Sequence, residues 1–289
     1  MSIQHMAATV WLAAVWAALG ASTVNVTNRY AYAANTGWID ARADTANGAV
    51  IGRYVCSNYL YAANTGWIHL GDGTPANGLS YGNASAADYG VNVSPYGLLT
   101  GYAWSANTGW ITFEQTYGKP SVDLKTGALQ GSAWSANAGW ISLSNAYAFV
   151  QTDRLGSGPD TDGDGLPDPW EYSYTNTLAG LGATPADADG DGSPDSDEYG
   201  AGTDPTDPSD LLVITAWTAT NLPSASLTWA STDTRFYRVK LAYNLTNAWS
   251  ESSLGLITDP STPGTTRILS LSATNRLFLR VQSVLPLSP

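Results

Sequence analysis

An acidic tract between residues 160 and 210 constrains this chain more than any other part of its sequence. The tract holds fourteen of the 24 carboxylates, and no Lys or Arg occurs between Arg154 and Arg235. The remaining acidic and basic residues nearly cancel, so the net charge of -12 comes from this tract. Carboxylates at this density repel one another, and little apolar sequence separates them. The bare tract is therefore predicted to be extended and mobile until a cation neutralises it.

The carboxylates follow the spacing of the twelve-residue calcium loop, and they do so twice. In such a loop positions 1, 3 and 5 supply carboxylate oxygens, Gly at 6 makes a sharp turn, position 7 supplies a carbonyl, position 9 acts directly or through water, and Glu at 12 binds through both oxygens. The predicted ligands are Asp160, Asp162, Asp164, the carbonyl of Leu166, Asp168 and Glu171 in the first loop, and Asp187, Asp189, Asp191, the carbonyl of Ser193, Asp195 and Glu198 in the second. Hard oxygens at flexible distances favour Ca2+ over Mg2+, and the tract has no His or Cys for zinc. A solvated acidic linker is the alternative interpretation.

Gly and Pro residues around both loops argue against a helix-loop-helix sensor, and only residues 170–179 are predicted to form a short helix. The Asp-x-Asp-Gly-Asp-Gly-x-x-Asp pattern and the closing Glu198-Tyr199-x-x-Gly202-Thr203-Asp204-Pro205 resemble the bacterial relatives of thrombospondin type 3 repeats. The resemblance covers about 50 of the 289 residues. It implies a secreted or surface protein in which calcium-bound spacers hold flanking domains apart, without catalysis. A dockerin also pairs two calcium loops, but Glu at position 12, Pro at position 8 and the poor exit helix after Glu198 count against it.

The N-terminus is typical of an exported protein. Residues 7–20 are almost entirely apolar and are followed by Ala21 and Ser22, so residues 1–21 are predicted to be a signal peptide, although no Lys or Arg precedes the apolar stretch. The stretch is too short to span a bilayer, and a buried first helix is the alternative. Extracellular calcium would keep weak sites filled, which agrees with export. Cys56 is the sole cysteine, so it cannot form an internal disulfide and is expected to be buried.

Residues 22–153 contain one motif four times, at residues 32–39, 61–68, 104–111 and 134–141. Each copy has a central Asn-x-Gly, whose residues accept positive φ, so each is predicted to be a hairpin with its two flanking aromatic residues opposite each other on one face. A further short strand is expected before the later copies, which gives units of three strands. The units predict a compact β-sandwich or barrel, with a propeller-like ring as second choice. They resemble Trp-x-x-Asn-x-Gly-Trp-Ile repeats of secreted bacterial proteins of undefined role, and this resemblance implies no activity.

The paired aromatic residues have two interpretations. Repeated residues of a repeat protein usually form its interior, which favours a packed ladder of rings in the core. Flat aromatic faces also stack on pyranose rings, so Trp104, Trp110, Trp134 and Trp140 are the residues that would contact a sugar. Exposure of the Trp rings decides between the two.

Residues 211–289 contain at least five predicted strands and suggest a small immunoglobulin-like or fibronectin-like sandwich, with Trp229 and Trp249 in its core. The fold class is therefore all-β, with residues 154–210 as an extended calcium-binding linker between two β domains. The acidic balance argues against nucleic acid as a partner, and no membrane span is predicted in the mature chain.

Residues typical of catalysis are scarce. Beyond the predicted signal peptide His69 is the sole histidine, no Gly-x-Ser-x-Gly elbow accompanies it, and a Cys56/His69 dyad is conceivable only if the two side chains meet. The sequence thus favours a secreted, non-enzymatic, calcium-binding modular protein of the cell surface or extracellular space. Its expected partners are calcium and an extracellular polysaccharide or another surface protein, in adhesion or matrix contact. The alternative is a carbohydrate-binding accessory module of a polysaccharide-degrading system.

Overall fold

The computed structural model describes residues 21–182, 185–221, 223–243, 248–271 and 277–288. Residues 1–20 of the predicted signal peptide lie outside the described part of the chain. The protein is nearly all β, as predicted, with two short helices among the described residues. No helix in these ranges combines the length and the apolar character that crossing a membrane requires.

The repeat region builds an eight-stranded antiparallel barrel. Its strands and their short neighbours are β1 (Val24–Ala33), β2 (Gly37–Asp40), β3 (Val50–Ile51), β4 (Cys56–Ser57), β5 (Tyr59–Ala62), β6 (Gly66–His69), β7 (Val91–Val93), β8 (Leu99–Ser105), β9 (Gly109–Thr112), β10 (Ser121–Val122), β11 (Leu129–Gln130), β12 (Ser132–Ser135), β13 (Gly139–Ser142) and β14 (Val150–Thr152). The barrel order is β13-β12-β9-β8-β6-β5-β2-β1, and pairing of β1 with β13 closes it. Of the predicted alternatives, the barrel is therefore confirmed.

Each repeat copy forms one hairpin of the barrel. The flanking aromatic residues are directly opposite in all four copies, as predicted: Tyr32 with Trp38, Tyr61 with Trp67, Trp104 with Trp110, and Trp134 with Trp140. The Gly of each turn has a positive φ, for example 81° at Gly37 and 71° at Gly109, which only glycine adopts without strain. The Asn-x-Gly signal therefore fixes the turn and, through it, the register of the pair.

The four hairpins meet one another in a single repeated register. The first aromatic residue of a hairpin always pairs with the residue two positions beyond the second aromatic of its neighbour: Tyr61 with Asp40, Trp104 with His69, Trp134 with Thr112, and Tyr32 with Ser142. Four such steps of two residues stagger the eight strands by eight residues in total. Eight strands enclose an interior just wide enough to be filled by side chains. The sequence repeat is thus the rotational repeat of the barrel.

The interior is filled by the Ile and small residues of the motif, and its aromatic rings lie outside. The Ile that follows each second Trp is buried, with exposures of 0% at Ile39, 1% at Ile68, 2% at Ile111 and 5% at Ile141. The eight paired rings are between 36% and 49% exposed. The prediction of an interior aromatic ladder is therefore wrong. Alternate strand residues face opposite sides, and the narrow interior accepts Ile and Ala but not eight large rings.

Asparagines link the hairpin turns around one end of the barrel. The side-chain amide of Asn64 donates to the carbonyl of Thr36 at 3.0 Å, and Asn107 donates to Thr65 at 2.9 Å in the same way. Asn137 repeats the contact with Thr108 at 3.1 Å. The Asn of the motif therefore ties each of the last three hairpins to the one before it.

The acidic segment contains helix α1 (Asp168–Thr175) and helix α2 (Asp195–Ala201). Leu166, Trp170 and Leu181 form a small buried cluster, against which Tyr54, Tyr174 and Tyr199 pack. The segment is therefore folded on a core of its own rather than extended, because these few apolar residues converge between the loops. The sequence predicted a short helix near α1 but missed α2.

Residues beyond the acidic segment form a two-layer sandwich of β15 (Ile214–Asn221), β16 (Ser224–Ala230), β17 (Phe236–Ala242), β18 (Ser250–Ile257), β19 (Gly264–Ser270) and β20 (Phe278–Val284). Its sheets have the orders β15-β16-β19 and β18-β17-β20. Trp229 and Tyr237 are buried between them, which confirms the prediction for Trp229. Trp249 is half-buried outside this core, because it precedes β18, a strand that the sequence did not predict.

Candidate metal centre

The first three carboxylates of each acidic loop converge on one point. One oxygen from each of Asp160, Asp162 and Asp164 lies within 4.8 Å of the other two, and the same holds for Asp187, Asp189 and Asp191. These are positions 1, 3 and 5 of the predicted loops. The structure thus gathers six of the twelve predicted ligands into two equivalent clusters.

The loop backbone is shaped by hydrogen bonds to the first carboxylate. Asp160 accepts from the backbone N–H of Gly163 at 2.8 Å and of Gly165 at 3.1 Å. Asp187 repeats this with Gly190 at 2.8 Å and Gly192 at 3.0 Å. The φ angles of the four glycines lie between 77° and 96°, so a side chain at any of them would strain the loop. The two loops therefore share one conformation, which the Gly spacing specifies.

The carboxylates at position 9 bond to the protein itself. Asp168 accepts from the backbone N–H of Thr161 at 2.7 Å and from its hydroxyl at 2.5 Å. Asp195 accepts from the backbone N–H of Ala188 at 2.8 Å and of Gly182 at 2.9 Å. Both side chains close the loop at its base. Of the two options that the sequence left for position 9, this geometry favours contact with an ion through water.

The glutamates at position 12 are the most unusual groups of the segment. Glu171 and Glu198 lie in the first turns of α1 and α2, and both are 0% exposed. Neither oxygen of Glu171 has a hydrogen-bond partner, and Glu198 has a single bond, accepted from the Thr203 hydroxyl at 3.2 Å. One oxygen each of Asp189 and Asp191 is also buried without a partner. Such groups are costly in an apolar setting unless a cation or a donor compensates them.

The protonation of the two glutamates reflects this environment. Burial, and then the charges of the neighbouring aspartates, raise the pKa of Glu171 to about 7. The pKa of Glu198 is raised to about 7 by burial and by the aspartates of its loop, against the hydrogen bond from Thr203. The charges of nearby loop aspartates therefore act on each glutamate in addition to burial.

The backbone at the two predicted carbonyl ligands is held in place by neighbouring groups. Leu166 is 1% exposed and is anchored in the apolar cluster of the segment, and its N–H donates to Asp164 at 2.8 Å. The N–H of Ser193 donates to Asp191 at 2.6 Å. Both position-7 residues are thus held beside the position-5 carboxylate.

A second candidate surface is the aromatic belt, which we define as the eight outward rings of the four hairpins. The rings of Trp104 and Trp110 meet edge to face, with centroids 4.7 Å apart. Tyr89 extends this group, because its ring lies 5.0 Å from that of Trp110. Its hydroxyl is also 2.7 Å from Nδ1 of His69. Sequence reasoning missed Tyr89, and the one available signal was the longer spacing between the second and third repeat copies.

The side chains of the conceivable thiol–imidazole dyad have different partners. Cys56 is 2% exposed in the barrel core, and burial raises the pKa of its thiol to about 12. His69 bonds to Tyr89 and stacks near Tyr59, and burial lowers the pKa of its imidazole. Cys56 is therefore held as a neutral, apolar core residue.

Comparisons of the chain with protein-family models, with curated proteins and with solved structures find no match. The kind of site is therefore inferred from the structure alone, which has two equivalent acidic loops, lined by oxygen atoms, between two β domains.

Proposed function

We propose that this is a secreted, non-enzymatic modular protein that binds two calcium ions in the segment of residues 154–210. The ions would order that segment, which resembles thrombospondin type 3 repeats, between the barrel and an immunoglobulin-like or fibronectin-like sandwich. The proposed work of the whole is adhesion to an extracellular surface or matrix.

The observation that carries the calcium proposal is the state of Glu171 and Glu198. Both side chains are fully buried, both oxygens of Glu171 and one oxygen of Glu198 lack a partner, and each loop brings the oxygens of three aspartates together. A divalent cation among these oxygens would compensate the buried charge in both loops. Carboxylate and carbonyl oxygens in a loop of this length suit calcium, whereas magnesium demands tight octahedral geometry.

The acidic segment contacts the barrel domain at one end and the sandwich at the other. The backbone N–H of Arg53, in the barrel domain, donates to the Gly156 carbonyl at 2.9 Å. The side chain of Arg235, in the sandwich, donates to the carbonyls of Gly200 and Tyr199 at 3.0 Å and 3.2 Å. An ion that orders the loops would therefore also fix the surfaces that the two domains contact.

Calorimetric titration of the purified protein with calcium tests this proposal. We expect two ions per chain and weak or absent binding of magnesium at the same concentration. Chelation should raise protease cleavage within residues 155–210, because the uncompensated carboxylates then repel one another. Absence of calcium uptake at millimolar concentration would contradict the proposal.

Sugar binding by the aromatic belt is a second candidate function, favoured by the exposure of its rings. Soluble proteins seldom expose large contiguous apolar patches without an interaction to make. A cavity of about 440 Å3 beside Tyr89, Tyr102 and Trp110, walled by residues 83–86, gives the belt one concave position. Aromatic faces next to such a wall fit a pyranose ring.

Binding to insoluble polysaccharides tests this second candidate. The double variant Trp104→Ala/Trp110→Ala should lose at least about tenfold in affinity, since each stacked ring contributes on the order of 1 kcal/mol. Trp217→Ala is the matched control, because Trp217 is 41% exposed on the other β domain. A wild-type protein that binds no polysaccharide, or equal loss in the control, would exclude the belt as a sugar platform.

A further inference from the structure

A cavity of about 510 Å3 lies where the barrel domain, the acidic segment and the sandwich meet. The barrel domain contributes Arg53 and Tyr54, helix α1 contributes Trp170 and Tyr174, and the sandwich contributes Arg235. The volume is in the range of small-molecule sites, which are typically about 300 to 1,000 Å3. Its lining combines aromatic rings with polar groups that include Ser80, Asn92, Ser94 and Ser173.

Two positive charges line this cavity without a carboxylate to neutralise them. The ion pairs of the described residues involve Arg29, Arg238 and Arg267, and neither Arg53 nor Arg235 takes part in one. This is unusual in a chain with 24 acidic residues and 12 basic ones. The aspartates at positions 1, 3 and 5 of the two loops converge on their own clusters instead.

Neutral acceptors hold the two guanidinium groups in place. Arg53 donates from Nη2 to the Pro286 carbonyl, its one side-chain bond among the described residues. Arg235 donates to the carbonyls of Gly200 and Tyr199 near the C-terminal end of α2, where a cation is favourable. These bonds explain the positions of the side chains. They leave most of the five N–H donors of Arg53 free for a ligand.

Burial disfavours the charged form of both guanidinium groups. Burial lowers the pKa of Arg235, and the charge of Arg53 lowers it further. Burial lowers the pKa of Arg53 as well. Two positive charges that line one cavity and are partly removed from water are compensated when an anion joins them.

We propose that this cavity binds a small organic oxyanion the size of an acidic sugar, with its carboxylate between Arg53 and Arg235. Guanidinium groups bind carboxylates through paired N–H donors, and the same geometry accepts the oxygens of a sulfate group. The hydroxyls of Ser80 and Ser94 in the lining would meet the hydroxyls of such a ligand, and the rings of Tyr54 and Tyr174 its apolar face. This site is separate from the calcium loops and from the aromatic belt.

Calorimetric titration with glucuronate at saturating calcium and constant ionic strength tests the proposal. Glucose serves as the neutral counterpart of glucuronate, and sulfate as an anion without the sugar ring. We expect glucuronate to bind and glucose not to bind. Equal binding of the two sugars would overturn the assignment. So would a failure to bind glucuronate, whether or not sulfate binds.

Charge-removing variants locate the site. Arg53→Gln should weaken glucuronate binding at least tenfold, and Arg238→Gln should leave it unchanged, because Arg238 pairs with Glu251 on the exposed side of the sandwich. Arg235→Lys keeps the positive charge near α2 but loses the paired donors. This variant should therefore fold as the wild-type protein does and bind glucuronate more weakly. Equal loss in Arg53→Gln and Arg238→Gln would exclude this cavity. Calcium stoichiometry, measured on the same variants, reports separately on the metal proposal.

Discussion

Replacing both Glu171 and Glu198 by Gln should abolish calcium uptake at concentrations that saturate the wild-type protein. Each substitution removes the charge of a buried carboxylate, the proposed bidentate ligand, and leaves the volume of the side chain nearly unchanged. The affinity of such loops varies with the number of charged ligands, and a loss of about 100-fold or more per site is expected. The single variants should each bind one ion where the wild-type protein binds two, as measured by calorimetry.

The exposed Glu251 provides the matched control for these substitutions. Glu251→Gln makes the same chemical change in the sandwich, where Glu251 pairs with Arg238. It should bind two ions with wild-type affinity. If Glu171→Gln and Glu198→Gln kept both sites, the position-12 glutamates would not be ligands and the assignment of the loops would be wrong.

The pH dependence gives an independent check on the same residues. Their pKa values of about 7 exceed the ordinary value of 4.5, so the metal-free folded protein holds protons that the unfolded chain releases. The stability of the chelated protein is therefore expected to fall as the pH rises from about 4.5 to about 7. Calcium requires the ionised form, so its affinity should rise over the same interval. The double Gln variant should show neither trend.

The local parts of the fold were predictable because their signals are contained within a few residues. The Asn-x-Gly turns predict four hairpins, and the positions of Gly163, Gly165, Gly190 and Gly192 match the backbone that the two loops adopt. The buried position of Trp229 also follows from the alternation of β16. In each case the determining residues lie on one strand or one turn, so no long-range contact is needed to infer the local structure.

Orientation and long-range contact were not predictable in the same way. Alternation along a strand separates its two faces but does not say which one is inside, so the sequence favours the core for the paired rings without excluding the surface. The barrel closes through Tyr32 and Ser142, which lie at opposite ends of the repeat region. Arg53 and Arg235 meet at one cavity from different domains. Nothing in the local sequence around either arginine marks that cavity.

Two adjacent residues of β2 give a direct test of which face of the barrel is interior. Ile39 is 0% exposed and Trp38 is 49% exposed, although Trp is the larger side chain. Ile39→Ala should lower the free energy of unfolding by about 2 to 5 kcal/mol, because it opens a cavity among close-packed side chains. Trp38→Ala should cost about 1 to 2 kcal/mol, from its edge-to-face contact with Tyr32 at 5.0 Å and from the half of the side chain that is covered.

Denaturant unfolding at saturating calcium, followed by circular dichroism, measures both changes under conditions in which the acidic segment stays constant. The barrel leaves an apolar cavity of about 30 Å3, so its interior has little room to rearrange around the missing atoms of Ile39. About half of the Trp38 side chain faces solvent, so its removal opens no enclosed cavity. The opposite order of effects, with Trp38→Ala the more destabilising, would place the rings inside after all and remove the belt as a binding surface. If Ile39→Ala is the more destabilising, packing alone does not explain why eight aromatic rings are exposed. Binding is then the explanation to test.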